Sequence, residues 1–332
     1  FDANHLNRKR AKWEQPTICF YMVFTLNRGF AAMGLSGLGW SLHSDIAVPY
    51  IINYGSEKQK QKYVPGCISG DIITAIAMTE PGTGSDLQGI KTTAIVDGDD
   101  YIINGSKTFI TNGQLADLVV VVVKTDPSAG AAGVSLILVE AGTPGFDKGK
   151  NLEKLGLKAQ DTSELFFNDV RVPKANVLGE EGKGFAYLMQ ELPQERMSIA
   201  IGAVASAKSI LQQTVDYVKE RKAFDKPISA FQNTQFKLAE QDAEVSVAEV
   251  YVDRCLELLV EGNLDAATAS KAKLISTEMQ GRVIDECLQL YGGYGYMWEY
   301  PVARAYADAR VQRIYGGTSE VMKMIISRAL LS

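Results

Sequence analysis

The repeat of apolar residues turns from strand-like to helical near Gly184, and that change limits the folds open to this chain. Upstream, Leu118–Val123 and Val134–Val139 are continuous, largely β-branched runs closed off by Pro127 and Gly130 on one side and Gly142 on the other. Runs of that length between turn residues are strands. Ile72–Met78 reads the same way, and Glu164–Val172 alternates loosely before stopping at Pro173. Asn104-Gly105, between Tyr101–Ile103 and Lys107–Ile110, predicts a tight hairpin turn. Downstream, Ile201, Val204, Ala207, Leu211, Val215 and Val218 step by three and four. So do Phe236, Ala239, Ala243, Val247 and Val250, then Ala272, Ile275, Met279, Val283, Cys287 and Leu290, and a last helix follows Thr318. The expectation is an α+β chain with a helical part over 1–73 and a compact antiparallel sheet or barrel of six to eight strands over 74–175. A four-helix bundle follows over 176–332. Within the first part, Ser56 before Glu57-Lys58-Gln59 reads as the cap of a short helix.

Composition removes several classes of function. With 332 residues, 46% of them hydrophobic, the chain can bury a sizeable core, and a net charge of −5 provides no basic field for nucleic acid. Cys19, Cys67, Cys255 and Cys287 are scattered without a Cys-x-x-Cys pair, which fits a reducing compartment and argues against a zinc site. The two histidines, His5 and His43, both lie near the N-terminus, so a base in the main body must be a carboxylate. No apolar run approaches the ~20 residues that span a bilayer; Ile18–Phe24 and Val119–Val123 are far shorter. Arg8-Lys9-Arg10 with Lys12 reads as a solvated helix face, with a targeting signal as the lesser alternative. An initial Phe1 in place of Met suggests a fragment, a processed product or an incomplete chain.

Chemistry concentrates between Met78 and Gly113. Gly82, Gly84 and Gly89 let a backbone approach a ligand closely, and Thr79, Thr83, Ser85 and Thr111 add hydroxyls that donate and accept. That mixture suits a flat heteroaromatic ring better than a bare phosphate. A dinucleotide fingerprint starting at Gly82 would need glycine where Leu87 stands, and no helix opens after it. From the residues alone, a ligand site and a plain surface turn both remain open.

Thr79-Glu80-Pro81-Gly82-Thr83-Gly84-Ser85-Asp86 with Phe109-Ile110-Thr111-Asn112-Gly113 resembles the flavin-binding signature of the acyl-CoA dehydrogenases, and the likeness runs from about residue 35 to 332. It implies an N-terminal helical part, shortened here, a central β domain and a C-terminal bundle. It also implies FAD as cofactor, held by Ile76, Met78, Thr79, Gly84, Ser85, Phe109 and Thr111 in one subunit. Arg221, Phe224, Gln232, Gln289 and Gly293 of a neighbouring subunit, with Thr318 and Glu320, complete the set that the likeness implies. An Asp225 stands where family members commonly have Gly.

In many members the carboxylate that removes the α-proton lies before the last helix, in an Ile-Tyr-Glu-Gly-Thr pattern. Here the pattern reads Ile314-Tyr315-Gly316-Gly317-Thr318. In the long-chain and isovaleryl branches the carboxylate lies near the start of the first bundle helix, where this chain has Glu195 in Glu191-Leu192-Pro193-Gln194-Glu195-Arg196, closest to the long-chain branch. Glu195 is therefore the implied base, with Glu191, Glu299 and Glu320 as rivals. The bland reading makes it a first-turn carboxylate answering the helix dipole. Ser85, Arg196, Tyr315, Gly316, Gly317 and Arg328 match positions used around the acyl-CoA. The implied reaction forms a trans-2,3 double bond in a medium- or long-chain acyl-CoA and passes electrons to an electron-transferring flavoprotein. A homotetramer built as a dimer of dimers, in a mitochondrial matrix or a bacterial cytoplasm, goes with it. Metal ions, nucleic acid and a membrane span are not expected. The alternatives are an acyl-CoA oxidase using oxygen and a non-catalytic assembly or scaffold protein on the same fold.

Overall fold

The computed structural model describes residues 25–332, and the basic cluster at 8–12, His5, Cys19 and the run Ile18–Phe24 lie outside them. The described residues divide into two compact units, 37–195 and 25–36 with 196–332.

In the unit spanning 37–195, a π-helical segment, Leu42–Ala47, runs directly into helix α1, Val48–Tyr54. Helix α2, Glu57–Ser69, opens on a capping box: the Ser56 side chain accepts from the Gln59 N–H, and the Gln59 side chain accepts from the Ser56 N–H. The strands are β1 (Thr74–Ala77), β2 (Thr93–Asp97), β3 (Asp100–Thr111), β4 (Leu118–Lys124), β5 (Val134–Glu140), β6 (Phe146–Asn151) and β7 (Thr162–Pro173). They form one seven-stranded sheet in the order β1-β4-β2-β3-β7-β6, with β5 paired to β4.

Every residue of β4 is buried, which explains its unbroken apolar run. Val119, Val121 and Val123 join one core with Ile103, Phe146, Leu165 and Phe167, while Leu118, Val120 and Val122 join a second with Tyr50, Ile51, Tyr63 and Leu188. Two expectations need correction here. The sheet is mixed, because β1 and β2 both pair parallel with β4. The chain leaves β1 through a long loop and a hairpin before β4 returns in the same direction. Asn104-Gly105 is no turn: β3 runs straight through it, with a register shift between Ile103 and Gly105. A Cβ on Gly105 would fall 2.4 Å from the Thr92 hydroxyl, so glycine serves a bulge packed against the chain. The hairpin turn lies earlier, at Gly98 with φ +64°.

The other unit holds a short helix over 25–32 and most of α3, Gly184–Glu220, since the division between units falls at Glu195–Arg196 within that helix. Then come a small hairpin of β8 (Lys222–Ala223) and β9 (Lys226–Pro227), α4 (Gln232–Val260), α5 (Ala266–Tyr291), α6 (Pro301–Ala309) and α7 (Ser319–Leu331). Met197, Ile201, Val204 and Leu211 pack with Val245, Val252, Met279 and Val283 in one core. The stripe expected to bury α4 is turned outward: Phe236, Ala239, Ala243, Val247 and Val250 are all exposed, and Val245, Ala248, Val252 and Cys255 are buried instead. Both sets step at helical spacing, so periodicity alone could not choose the buried face.

A candidate active site and ligand-binding residues

The loop after β1 is locked from beneath by an ion pair. Lys107 on β3 is fully buried, and its Nζ donates to Glu80 Oε1 at 2.8 Å and to the Met78 carbonyl at 3.1 Å. Glu80 Oε2 and Oε1 also accept from the Lys91 and Thr92 N–H groups at 2.6 and 2.9 Å. Burial acts to raise the Glu80 carboxyl, but the Lys107 charge and these hydrogen bonds hold it below its ordinary value. Burial also brings Lys107 down to about 8, against the opposing pull of Glu80. Above this pair, Glu80 and Thr83 exchange two backbone hydrogen bonds across Pro81-Gly82, and the Thr83 hydroxyl donates to the Gly89 carbonyl. The sequence reading missed Lys107; its only signal was that it is the one basic residue of β3.

The glycines of this loop have different causes. Neither Gly82 nor Gly84 has a positive φ, and a Cβ on either would meet no atom within 4 Å. Among the described residues, neither backbone conformation nor packing calls for glycine there. Phe109 stands at φ +59° within a register shift in β3 and is 67% exposed. A bulky residue at positive φ costs on the order of 1–2 kcal/mol. Asn112, also at positive φ, is buried and donates to the Gly39 and Thr74 carbonyls. Ser85 is exposed, Thr79, Thr111 and Met78 are half-buried, and the Ile76 side chain is packed in the core.

Glu195 is buried, and the Tyr50 hydroxyl donates to its Oε1 at 2.9 Å. Because α3 opens at Gly184, Glu195 lies about three turns inside the helix. This corrects the expectation of a position near the helix start and removes the dipole reading, since that effect fades within the first turn. Glu191, one turn earlier, accepts from Asn53 and from the Tyr54 hydroxyl at 2.8 Å each. His43 is structural: the Thr74 N–H donates to its Nδ1 at 3.0 Å, and its Nε2 lies 3.0 Å from the Cys67 carbonyl.

The Gly316-Gly317 turn is gripped by two buried cations. Arg196 Nε donates to the Gly316 carbonyl at 3.3 Å and its Nη1 to the Ser270 hydroxyl at 3.4 Å. Lys273 Nζ donates to the Gly317 carbonyl at 2.7 Å. Burial and the like charge of Arg196 bring Lys273 down to about 8. Gly316 and Gly317 have φ of +63° and +97°, and a Cβ on them would fall 2.5 Å from Ile199 Cδ1 and 2.6 Å from Met322 Cε. Tyr315 donates to Gln312. Thr318 caps α7 by accepting from the Val321 N–H, and Glu320 is exposed in that helix's first turn, as expected. Arg328 is exposed near the helix end.

Three of the other predicted residues meet in one open pocket of about 500 Å³, where Arg221, Gln289 and Gly293 line the wall with Tyr217 and Tyr294. The Arg221 guanidinium lies over the Tyr294 ring, 5.4 Å from its centre. Gly292, at φ +60°, ends α5, whereas Gly293 has neither a positive φ nor any atom within 4 Å of an added Cβ. Phe224 and Asp225, both at positive φ, form the two-residue turn between β8 and β9, the backbone that a glycine would otherwise serve. The Phe224 ring is 90% exposed, and Gln232 is exposed as the first residue of α4. Among the described residues no group of three or more His, Cys, Asp or Glu could hold a metal ion, and no helix is long and apolar enough to cross a membrane.

Three domain families match this chain: "Acyl-CoA dehydrogenase, N-terminal domain" over residues 18–71, "middle domain" over 75–170 and "C-terminal domain" over 182–331. A pig protein named mitochondrial long-chain specific acyl-CoA dehydrogenase is 56% identical over 298 residues, covering 89% of this chain and 69% of that one. The crystal structure of an acyl-CoA dehydrogenase from Geobacillus kaustophilus superposes with a TM-score of 0.91 at 54% identity, covering 93% of this chain and 82% of that one. A glutaryl-CoA dehydrogenase from Mycobacterium smegmatis, solved in complex with FADH2, gives a TM-score of 0.80 at 35% identity over 85% of this chain and 71% of that one.

Proposed function

The chain belongs to the acyl-CoA dehydrogenase family of FAD-dependent oxidoreductases, and on that premise we propose that it converts saturated medium- to long-chain acyl-CoA into trans-2-enoyl-CoA with Glu195 as the base. The observation that carries the assignment is the placement of Glu195, buried in mid-helix with a phenol bonded to one oxygen, while Gly316 carries no carboxylate. When bound, FAD supplies the hydride acceptor. Glu195 takes the α-proton. Backbone N–H donors near the Gly316-Gly317 turn answer the charge that develops on the thioester oxygen. Arg196 and Lys273 hold the carbonyls of that turn, so Arg196 acts on acyl-CoA through the turn it grips. Ser85, Tyr315 and Arg328 are the further proposed contacts of the acyl-CoA.

The residues present fit FAD. Gly82 and Gly84, which no contact among the described residues calls for, leave room for a closely approaching ring, and Phe109 is exposed. Met78, Thr79, Gly84, Ser85, Phe109, Thr111 and the main chain of Ile76 would hold that ring. Arg221, Phe224, Gln232, Gln289 and Gly293 would hold the phosphate and adenosine end for a neighbouring subunit, with Thr318 and Glu320 at the start of α7. Arg221 suits a pyrophosphate because its planar fork binds two oxygens together. The exposed stripe of α4, from Phe236 to Val250, supports assembly of copies, and we read the assembly as a homotetramer. Electrons would pass to an electron-transferring flavoprotein, in a mitochondrial matrix or a bacterial cytoplasm; the pig relative is named mitochondrial.

Anaerobic mixing of the purified flavoprotein with saturated acyl-CoAs of graded length tests the reading. Bleaching of the flavin should be strongest with medium or long chains. Glu195→Gln should keep FAD and substrate binding and lose most bleaching; full bleaching in that variant overturns the assignment of the base.

A further inference from the structure

Two pairs of residues face each other in opposite directions beside Glu195. Tyr50 and Tyr54 lie four residues apart on α1, on one face of the helix. Glu191 and Glu195 are likewise four apart on α3. Tyr50 donates to Glu195 at 2.9 Å and Tyr54 to Glu191 at 2.8 Å, so the two helices meet as an antiparallel ladder of phenols and carboxylates. The π-helical segment Leu42–Ala47 precedes this face, and its wider turn changes the phase at which α1 begins.

We propose that Tyr50 is a positioning residue for Glu195, its buried hydroxyl orienting the carboxylate and favouring the ionised form. This rests on Glu195 being the base. A hydrogen bond given to a carboxylate stabilises the charged state against the cost of burial. Tyr50 is fully buried, and burial, followed by the charge and hydrogen bond of Glu195, pushes its phenol well above the ordinary value. It therefore stays protonated and remains a donor at any working pH. Besides Glu195, the titratable groups acting on Tyr50 are Glu191 and Tyr54. Asp45, a buried acid on the π-helical segment before α1, is bonded by Ser41 and Ser44, and its main-chain carbonyl accepts from the Gln194 amide. Arg196, next after Glu195, bonds the Gly316 carbonyl and the Ser270 hydroxyl.

Tyr54 provides a matched control because it serves Glu191, not Glu195. In the holoenzyme, the rate of anaerobic flavin reduction by palmitoyl-CoA is followed from pH 5 to 9. Tyr50→Phe should move the acid limb upward by about one pH unit, as expected for losing one hydrogen bond to an ionised group. FAD content should not change. Tyr54→Phe should leave the limb in place. An unmoved limb in Tyr50→Phe, or equal shifts in both variants, overturns the proposal. Should Tyr50→Phe fail to fold, difluorotyrosine at position 50 keeps the shape, strengthens the donor and should move the limb down; no movement overturns the proposal equally. Glu195→Gln separates the two readings. If it still reduces the flavin, the base assignment fails; if it is inactive while the Tyr50→Phe limb stays fixed, only the role of Tyr50 fails.

Discussion

Two glycine turns, one in each unit, look alike in the sequence and have opposite causes. At Gly316-Gly317 the chain itself demands glycine: both φ values are positive, and Ile199 and Met322 occupy the places where side chains would go. At Gly82 and Gly84 nothing among the described residues demands it. Each turn is nonetheless fixed by a buried lysine donating to a backbone carbonyl, Lys273 to Gly317 and Lys107 to Met78. The difference separates a turn shaped by its own packing from a turn left open for something else. It also shows that a Gly-rich motif does not report its purpose until the surrounding atoms are known.

The largest way to break the comparison is to remove the anchor of the open loop. Glu80→Ala leaves the Lys107 charge buried without its carboxylate and should cost about 3–5 kcal/mol. Urea unfolding measures this, and a loss below about 1 kcal/mol would show that the pair does not hold the loop. Gly317→Ala comes next. Its positive φ and the contact with Met322 should cost roughly 1–3 kcal/mol, read in the same assay.

A smaller effect concerns pH. Lys273 is brought down to about 8 in the fold, against ~10.4 in the unfolded chain. Between those values the unfolded chain holds more protons, so this group makes unfolding free energy rise with pH, by at most about 1.4 kcal/mol per unit. Lys273→Met should remove that rise, and the difference between wild-type and variant stability at pH 8 and 9.5 checks it. The smallest stability effect is expected at the open turn. Gly84→Ala should alter unfolding by less than about 0.5 kcal/mol while weakening FAD retention, measured by flavin release on dilution. A large loss of stability without loss of flavin would erase the contrast between the turns.

Much of this was legible in the sequence because strands and helices announce themselves through short-range pattern. The all-apolar β4 run, the capping box at Ser56 and the helical spacing after Gly184 needed no partner to be read. Asn104-Gly105 failed because the same dipeptide serves a turn or a bulge, and Thr92 across the sheet decides between them. The outward stripe of α4 failed because two apolar faces share one helix. Short α6 was missed beside its longer neighbours, and β6, with only Phe146 apolar among six residues, carried almost no strand pattern.

By itself the sequence determined the broad run from sheet to helices, the family signature and the placing of a glutamate at 195 with a glycine at 316, all of which depend on residue type and local spacing. Only the tertiary structure decided which glycines are structural, which lysines are buried, and that a phenol from another helix meets Glu195. Those depend on atoms brought together from distant parts of the chain, where burial changes the cost of every charge and hydrogen bond.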